Sequence, residues 1–149
     1  MAAKLFVNLP VKDLKRSMEF FKKLGYSFNP QFTDNTAACM VISEENSVML
    51  LTEKKFQGFT TKAIADTKKV TEVLIAVSTD SRRAVDEVAK KAVGAGGREA
   101  RNVEDLGFMY QRAIEDLDGH TWEFFWFDPA AIQGTQAAPT PKPTTAPAR

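Results

Sequence analysis

The sequence has very few side chains that bind transition metals or form covalent links. Its 149 residues include one histidine, His120, and one cysteine, Cys39. A single cysteine excludes an intramolecular disulfide and is typical of a reducing compartment. Cys39 lies in an apolar run with no basic neighbour in sequence. We therefore interpret it as a small buried side chain and not as a nucleophile.

An excess of charge of either sign is also missing. Twenty basic residues face nineteen acidic ones, so the net charge is +1. No overall electrostatic field attracts nucleic acid or an anionic membrane. No apolar run approaches the length of a membrane span, and the N-terminus leads into a strand pattern without a signal-peptide core. We expect neither a nucleic-acid nor a membrane partner, and a cytoplasmic location.

The first half of the chain has the pattern strand, helix and three strands. An alternating segment from Phe6 to Val11 predicts the first strand, and Asp13 is the expected N-cap of the helix. The helix has one apolar stripe and ends near Gly25. Turn residues separate three further predicted strands, at residues 26–32, 37–43 and 47–52.

The second half repeats this pattern about 67 to 69 residues later. A strand at 73–78 precedes a helix for which Asp80 is the expected N-cap, and strands follow at 98–102, 108–115 and 121–127. We predict one domain over residues 1–132, with module one at about 4–53, a connector with a short helix at about 54–69, and module two at about 70–128. Residues 133–149 are rich in Ala, Pro and Thr and predict a disordered tail.

Two segments carry a resemblance to a known superfamily. Residues 5–21 read LFVNLPVKDLKRSMEFF, and residues 116–125 read DLDGHTWEFF. With the repeated unit, they resemble the vicinal oxygen chelate superfamily, which includes glyoxalase I, bleomycin-resistance proteins, fosfomycin-resistance enzymes and extradiol dioxygenases. The resemblance implies an α+β fold of two βαβββ modules, whose eight strands form a curled, partly open sheet around a cavity. It also implies a homodimer.

The same resemblance implies a divalent metal held by four inward-facing residues. The matching positions are Phe6 on the first strand, Met49 or Leu50 on the fourth, Leu74 on the fifth and Glu123 on the eighth. Only Glu123 has a side chain of the expected type. Alkyl and thioether groups do not hold a hard divalent cation. A bound metal is therefore disfavoured, and we expect no other cofactor.

Glu123 is the candidate catalytic residue and one of several candidates for ligand binding. It shares a strand face with Thr121 and Phe125, and we expect Arg112 on the neighbouring strand to be its partner. His120 lies three residues away, on the opposite face, and fits a turn or capping role. The full set of ligand-binding candidates is Phe6, Asn8, Leu50, Leu74, Tyr110, Arg112 and Glu123.

Four functions remain open. The first is binding of a small, partly apolar molecule in the cavity between the modules. The alternatives are a lactoylglutathione-lyase-like or dioxygenase-like metalloenzyme, a metal-independent enzyme that uses Glu123 as an acid–base group, and a purely structural or interaction role. The face bearing Trp122 and Trp126 is expected either to form the homodimer interface or to pack against the helices.

Overall fold

A computed structural model describes residues 2–131 of the chain. These residues form nine strands, three α-helices and a helical segment at residues 129–131. The first module contains β1 (Leu5–Val11), α1 (Leu14–Lys23), β2 (Ser27–Asn29), a 3-10 turn (Pro30–Phe32), β3 (Ala37–Val41) and β4 (Asn46–Thr52). After α2 (Glu53–Gln57), the second contains β5 (Leu74–Ser78), α3 (Arg82–Gly94), β6 (Arg98–Glu99), β7 (Glu104–Asp105), β8 (Met109–Glu115) and β9 (Thr121–Phe127). The predicted tail at residues 133–149 lies outside the described residues.

The strands form two sheets related by the internal repeat. The first sheet has the order β1-β4-β3-β2, and the second has the order β5-β9-β8-β6, with β7 also paired to β8. In each sheet the first strand of the module runs parallel to the last, as β1 does to β4 and β5 to β9. The predicted α+β fold of two βαβββ units is therefore confirmed. It has nine strands because β7 is an additional two-residue strand, and the strand predicted at 98–102 is shortened to β6.

Side-chain caps begin both long helices. Asp13 accepts a hydrogen bond from the backbone N–H of Arg16 at 3.1 Å, as expected for the N-cap of α1. The cap of α3 is Ser81, whose hydroxyl accepts from the N–H of Ala84 at 3.0 Å. The prediction of Asp80 as this N-cap was wrong by one residue. Asp and Ser are both favourable N-caps, so the sequence alone does not say which of the two adjacent residues caps the helix.

One apolar core joins the two sheets through α1 and α3. Alternate residues Leu9 and Val11 of β1 enter it from the first sheet, and Trp122 and Phe124 of β9 enter it from the second. The ring of Phe21 on α1 lies 5.0 Å from that of Trp122, centroid to centroid. Each sheet thus turns one face towards the helices and the shared core.

The opposite face of each sheet, here called the open face, is exposed to solvent along its edge strand, β1 in the first sheet and β5 in the second. Phe6 on β1 is 50% exposed and Leu74 on β5 is 56% exposed. Both alternate with residues that pack on the core, so they lie on the open faces. The described part of a single chain therefore does not enclose Phe6 or Leu74. None of the helices between residues 2 and 131 is both long and apolar enough to cross a membrane.

Candidate ligand-binding face around Glu123

Glu123 lies at the centre of the open face of the second sheet. It alternates on β9 with Trp122 and Phe124, which are buried in the core, so its side chain projects to the other side. Its directly paired residues are Ala76 on β5 and Ala113 on β8. Phe125 and Phe127 continue the same face along β9, and their rings meet edge to face at 5.0 Å. The face therefore combines one carboxylate with small and aromatic apolar groups.

Two donors fix the carboxylate of Glu123. The side-chain amide of Gln111 donates to Oε2, and the guanidinium of Arg101 donates to the same oxygen at 3.2 Å. Arg101 also lies 3.8 Å from the carboxylate of Glu104. The side chain of Glu123 is only 13% exposed. A charged group so far withdrawn from water is stabilised by these charge-assisted contacts.

Sequence reasoning missed Gln111 and Arg101 as neighbours of Glu123. Gln111 alternates with Ala113 on β8, and these residues pair with Phe125 and Glu123 on β9. This alternation is the signal that could have placed Gln111 on the same sheet face as Glu123. Arg101 follows β6 in a segment for which a continuous strand was predicted. No sequence signal indicated where the side chain of Arg101 lies, because the chain is not a strand between the end of β6 and the start of β7.

Tyr110 and Arg112 do not contact Glu123. They lie on the other face of β8, beside Ile114, which enters the core. The Tyr110 hydroxyl donates to Asp86 on α3 at 2.5 Å, and Arg112 donates to Asp86 at 2.7 Å and to Glu99 at 2.5 Å. The expected partnership of Arg112 with Glu123 is thus replaced by ion pairs on the helix side of the sheet.

Two of the remaining candidates lie on the open face of the first sheet, whereas Leu74 lies on that of the second. The two are Phe6 and Asn8, and Asn8 pairs with Met49 across the parallel β1–β4 ladder. Leu50 is fully buried in the core on the helix side. Because successive residues of a strand point to opposite faces, Met49 and not Leu50 lies on the open face.

His120 joins the two modules instead of lining the open face. Its Nε2 lies 2.6 Å from the carbonyl oxygen of Pro10, and its Nδ1 lies 2.5 Å from Glu72, off the line of a hydrogen bond. Only 1% of the side chain is exposed. His120 therefore has structural contacts between the modules, and not only the turn or capping role expected from the sequence.

Asp116 is a buried carboxylate next to His120. Its Oδ1 accepts from the backbone N–H groups of Asp118 at 2.9 Å and His120 at 3.0 Å, and its Oδ2 accepts from the indole N–H of Trp122 at 3.0 Å. Burial raises the pKa of Asp116, although the neighbouring His120 and the hydrogen bonds act in the opposite direction. The group therefore organises the β8–β9 turn.

A cavity of about 280 Å³ lies at the module junction, bordered by Pro10, His120 and connector residues 64–68. Its other lining residues are Lys12, Glu53 and Asp118. None of the residues predicted to bind a ligand borders it. The junction cavity and the open face around Glu123 are therefore separate parts of the molecule.

Comparison with known proteins agrees with this architecture. Residues 4–43 match the family described as Bleomycin resistance protein-like N-terminal. A hypothetical protein of S. aureus, SA1046, shares 28% identity with a TM-score of 0.71, over 85% of this chain and 95% of that one. A glyoxalase/bleomycin resistance protein/dioxygenase family enzyme from Burkholderia phytofirmans shares 13%, with a TM-score of 0.70 over 85% and 99%. The chain has the fold of the vicinal oxygen chelate superfamily.

This finding confirms the resemblance deduced from the two sequence segments. A lactoylglutathione lyase from Agrobacterium tumefaciens is also similar in structure, at 14% identity and a TM-score of 0.60, over 85% of this chain and 94% of that one. At that identity the likeness concerns the fold alone. No curated protein matches the chain by sequence.

The residues at the metal-binding positions of the vicinal oxygen chelate fold do not fit a divalent metal. Phe6 and Met49 lie on the first open face, Leu74 and Glu123 lie on the second, and only Glu123 offers an oxygen. That carboxylate is already engaged by Gln111 and Arg101. Within residues 2–131, no group of three or more His, Cys, Asp or Glu side chains is arranged to hold a metal ion.

Proposed function

We propose that the chain binds a small, partly apolar molecule on the open face of the second sheet, around Glu123, without using a metal. The observation that carries this proposal is the fixed carboxylate of Glu123, which lies among apolar side chains beside the exposed strand β5. Ligand sites typically combine apolar walls with a few fixed polar groups. Leu74, Ala76 and Phe125 supply the apolar part.

We propose further that a second copy of the chain covers this face. Phe6 and Leu74 leave apolar surface exposed on both open faces, and β1 and β5 are the outermost strands of their sheets. If the first open face of one copy lies over the second open face of another, Phe6, Asn8 and Met49 complete a pocket around Glu123. A two-fold arrangement buries both pairs of faces at once.

The homodimer predicts a mass in solution of twice the chain mass of 16.5 kDa by light scattering. Leu74→Lys is expected to shift the protein towards monomer, because it places a charge in the buried interface. The control is Val93→Lys, which changes an apolar residue of α3 that is 47% exposed and should leave the mass unchanged. A strict monomer at millimolar concentration contradicts the homodimer.

Binding of an apolar molecule is tested with Prodan, a neutral naphthalene dye whose emission shifts to shorter wavelength in apolar surroundings. We expect Phe125→Ala to weaken Prodan binding about three- to tenfold, since an aromatic contact contributes roughly 0.5–1.5 kcal/mol. The control Phe59→Ala removes a ring that is 69% exposed, in the connector, and should have no effect. Equal Prodan affinity in the wild type and Phe125→Ala would place binding elsewhere.

A further inference from the structure

We propose that the natural ligand of this face is an organic cation, with its charged group at Oε1 of Glu123 and an apolar group against Phe125 and Phe127. This inference rests on the proposed function, because it names the chemistry of the ligand at the same site. Three features of the open face carry it: the unequal use of the two carboxylate oxygens, the position of the aromatic rings, and the local charge.

The two oxygens of the Glu123 carboxylate have different surroundings. Gln111 and Arg101 both donate to Oε2. Neither contact uses Oε1, and an ionised carboxylate accepts hydrogen bonds at both oxygens. Gln111 belongs to β8, so it approaches from one side of β9. On the other side, the residue paired with Glu123 is Ala76, an exposed residue whose short side chain leaves the approach from β5 open.

The aromatic rings lie at a distance that suits a small cation. Phe125 is two residues beyond Glu123 on the same face of β9, which separates their Cα atoms by about 7 Å. Phe127, whose ring packs edge to face with that of Phe125, is 36% exposed on this face. Cations are attracted to the face of an aromatic ring within about 6 Å of its centroid. An ammonium group between Glu123 and Phe125 satisfies both contacts.

The local charge favours a cation over an anion. Glu123 and Glu104 carry two negative charges, and Arg101 contacts both with one positive charge. On the same face, Glu115 is matched by Arg98, at 2.6 Å. The carboxylates around Glu123 therefore exceed the cations by one. A partly buried negative charge attracts a cationic ligand and repels a carboxylate or phosphate.

The probe for this proposal is benzyltrimethylammonium, which has a permanent positive charge and one phenyl ring. We expect it to shift the amide NMR signals of residues 121–127 in the 15N-labelled full chain. Glu123→Gln should weaken its binding about tenfold, since it removes the charge but retains the shape. Glu123→Asp retains the charge and should weaken binding less. The matched control Glu115→Gln removes a carboxylate from the same face and should leave binding within about twofold.

Equal binding of benzyltrimethylammonium to the wild type and Glu123→Gln would overturn the cation proposal. So would equally tight binding of phenylethanol, a neutral aromatic molecule. Prodan separates this failure from failure of the proposed function. If Prodan binding depends on Phe125 but the ammonium probe does not bind, the proposed apolar site stands and the cation proposal is wrong. Absence of binding by both probes contradicts the site itself.

Discussion

Asp116→Ala is expected to lower the free energy of unfolding by about 3 kcal/mol, because it leaves several buried donors without an acceptor. The carboxylate of Asp116 accepts from the indole of Trp122 and from the backbone N–H groups of Asp118 and His120. Alanine offers none of these contacts, and the site is shielded from water, since Asp116 is 7% exposed. Urea unfolding followed by circular dichroism measures the loss.

Asp116→Asn separates hydrogen bonding from charge. Its amide oxygen can still accept from some of these donors, so we expect a smaller loss than for alanine, about 1 kcal/mol. The matched control is Asp13→Asn, at a helix cap where both side chains are favourable and the effect should be small. A loss of less than about 1 kcal/mol for Asp116→Ala would mean that water replaces the carboxylate.

The pH dependence of Asp116→Asn gives a second readout of the same group. The pKa of Asp116 is raised in the folded protein, because burial disfavours the charged form. Such a group contributes stability that is fully present below its ordinary pKa and is lost as the pH rises through the raised value. Asparagine does not titrate. The stability of the wild type relative to Asp116→Asn should therefore increase as the pH falls from 7 towards 4.

The sequence predicted those parts of the fold that depend on local periodicity. The predicted stripe of Leu14, Met18, Phe21 and Leu24 has helical spacing. Three of these residues are buried in the core, and Met18 packs against it partly buried. Asp13 caps this helix, and Gly25 follows it with a positive φ of 105°, which glycine adopts without strain. These features involve neighbours in sequence, so a single chain without further information is sufficient to locate them.

The sheet face on which each candidate side chain lies could not be predicted from the sequence as well, because it depends on contacts between residues that are distant in sequence. Met49 and Leu50 are both apolar, so the hydrophobic pattern does not say which one faces the core. The pairing of Asn8 with Met49 decides the question, since a shift of one residue reverses every side chain. Arg112 lies on the helix side, where it pairs with Asp86 and Glu99 instead of Glu123. Those partners come from other elements, and strand alternation does not identify them.

The role of the two tryptophans also follows from the packing of the modules. Trp122 is 1% exposed and contacts Phe21, and Trp126 packs at the margin of the same core. Their face is therefore covered by the helices and is not available as a homodimer interface. The sequence left both arrangements open, because an apolar strand face must be covered but its composition does not specify by what.

Phe21→Ala is expected to destabilise the protein by about 3–5 kcal/mol, the usual effect of removing a fully buried phenylalanine. Phe21 is 1% exposed, and its ring contacts the rings of Phe20, Tyr26 and Trp122. The contact with Trp122 lies between the modules, so the cavity forms where the modules meet. Thermal and urea unfolding of the variant measure the loss. Phe59→Ala, which removes an exposed ring, should change stability by less than about 0.5 kcal/mol.

A double-mutant cycle distinguishes loss of packing in general from loss of the contact between the modules. Trp122→Phe keeps a ring in the second sheet but changes the pair that it forms with Phe21. If the two rings stabilise each other, the combined effect of Phe21→Leu and Trp122→Phe differs from the sum of the single effects by about 0.5–1.5 kcal/mol. Additive effects would show that each ring packs independently. The relative placement of the modules would then depend on polar contacts, such as that of His120 with Pro10.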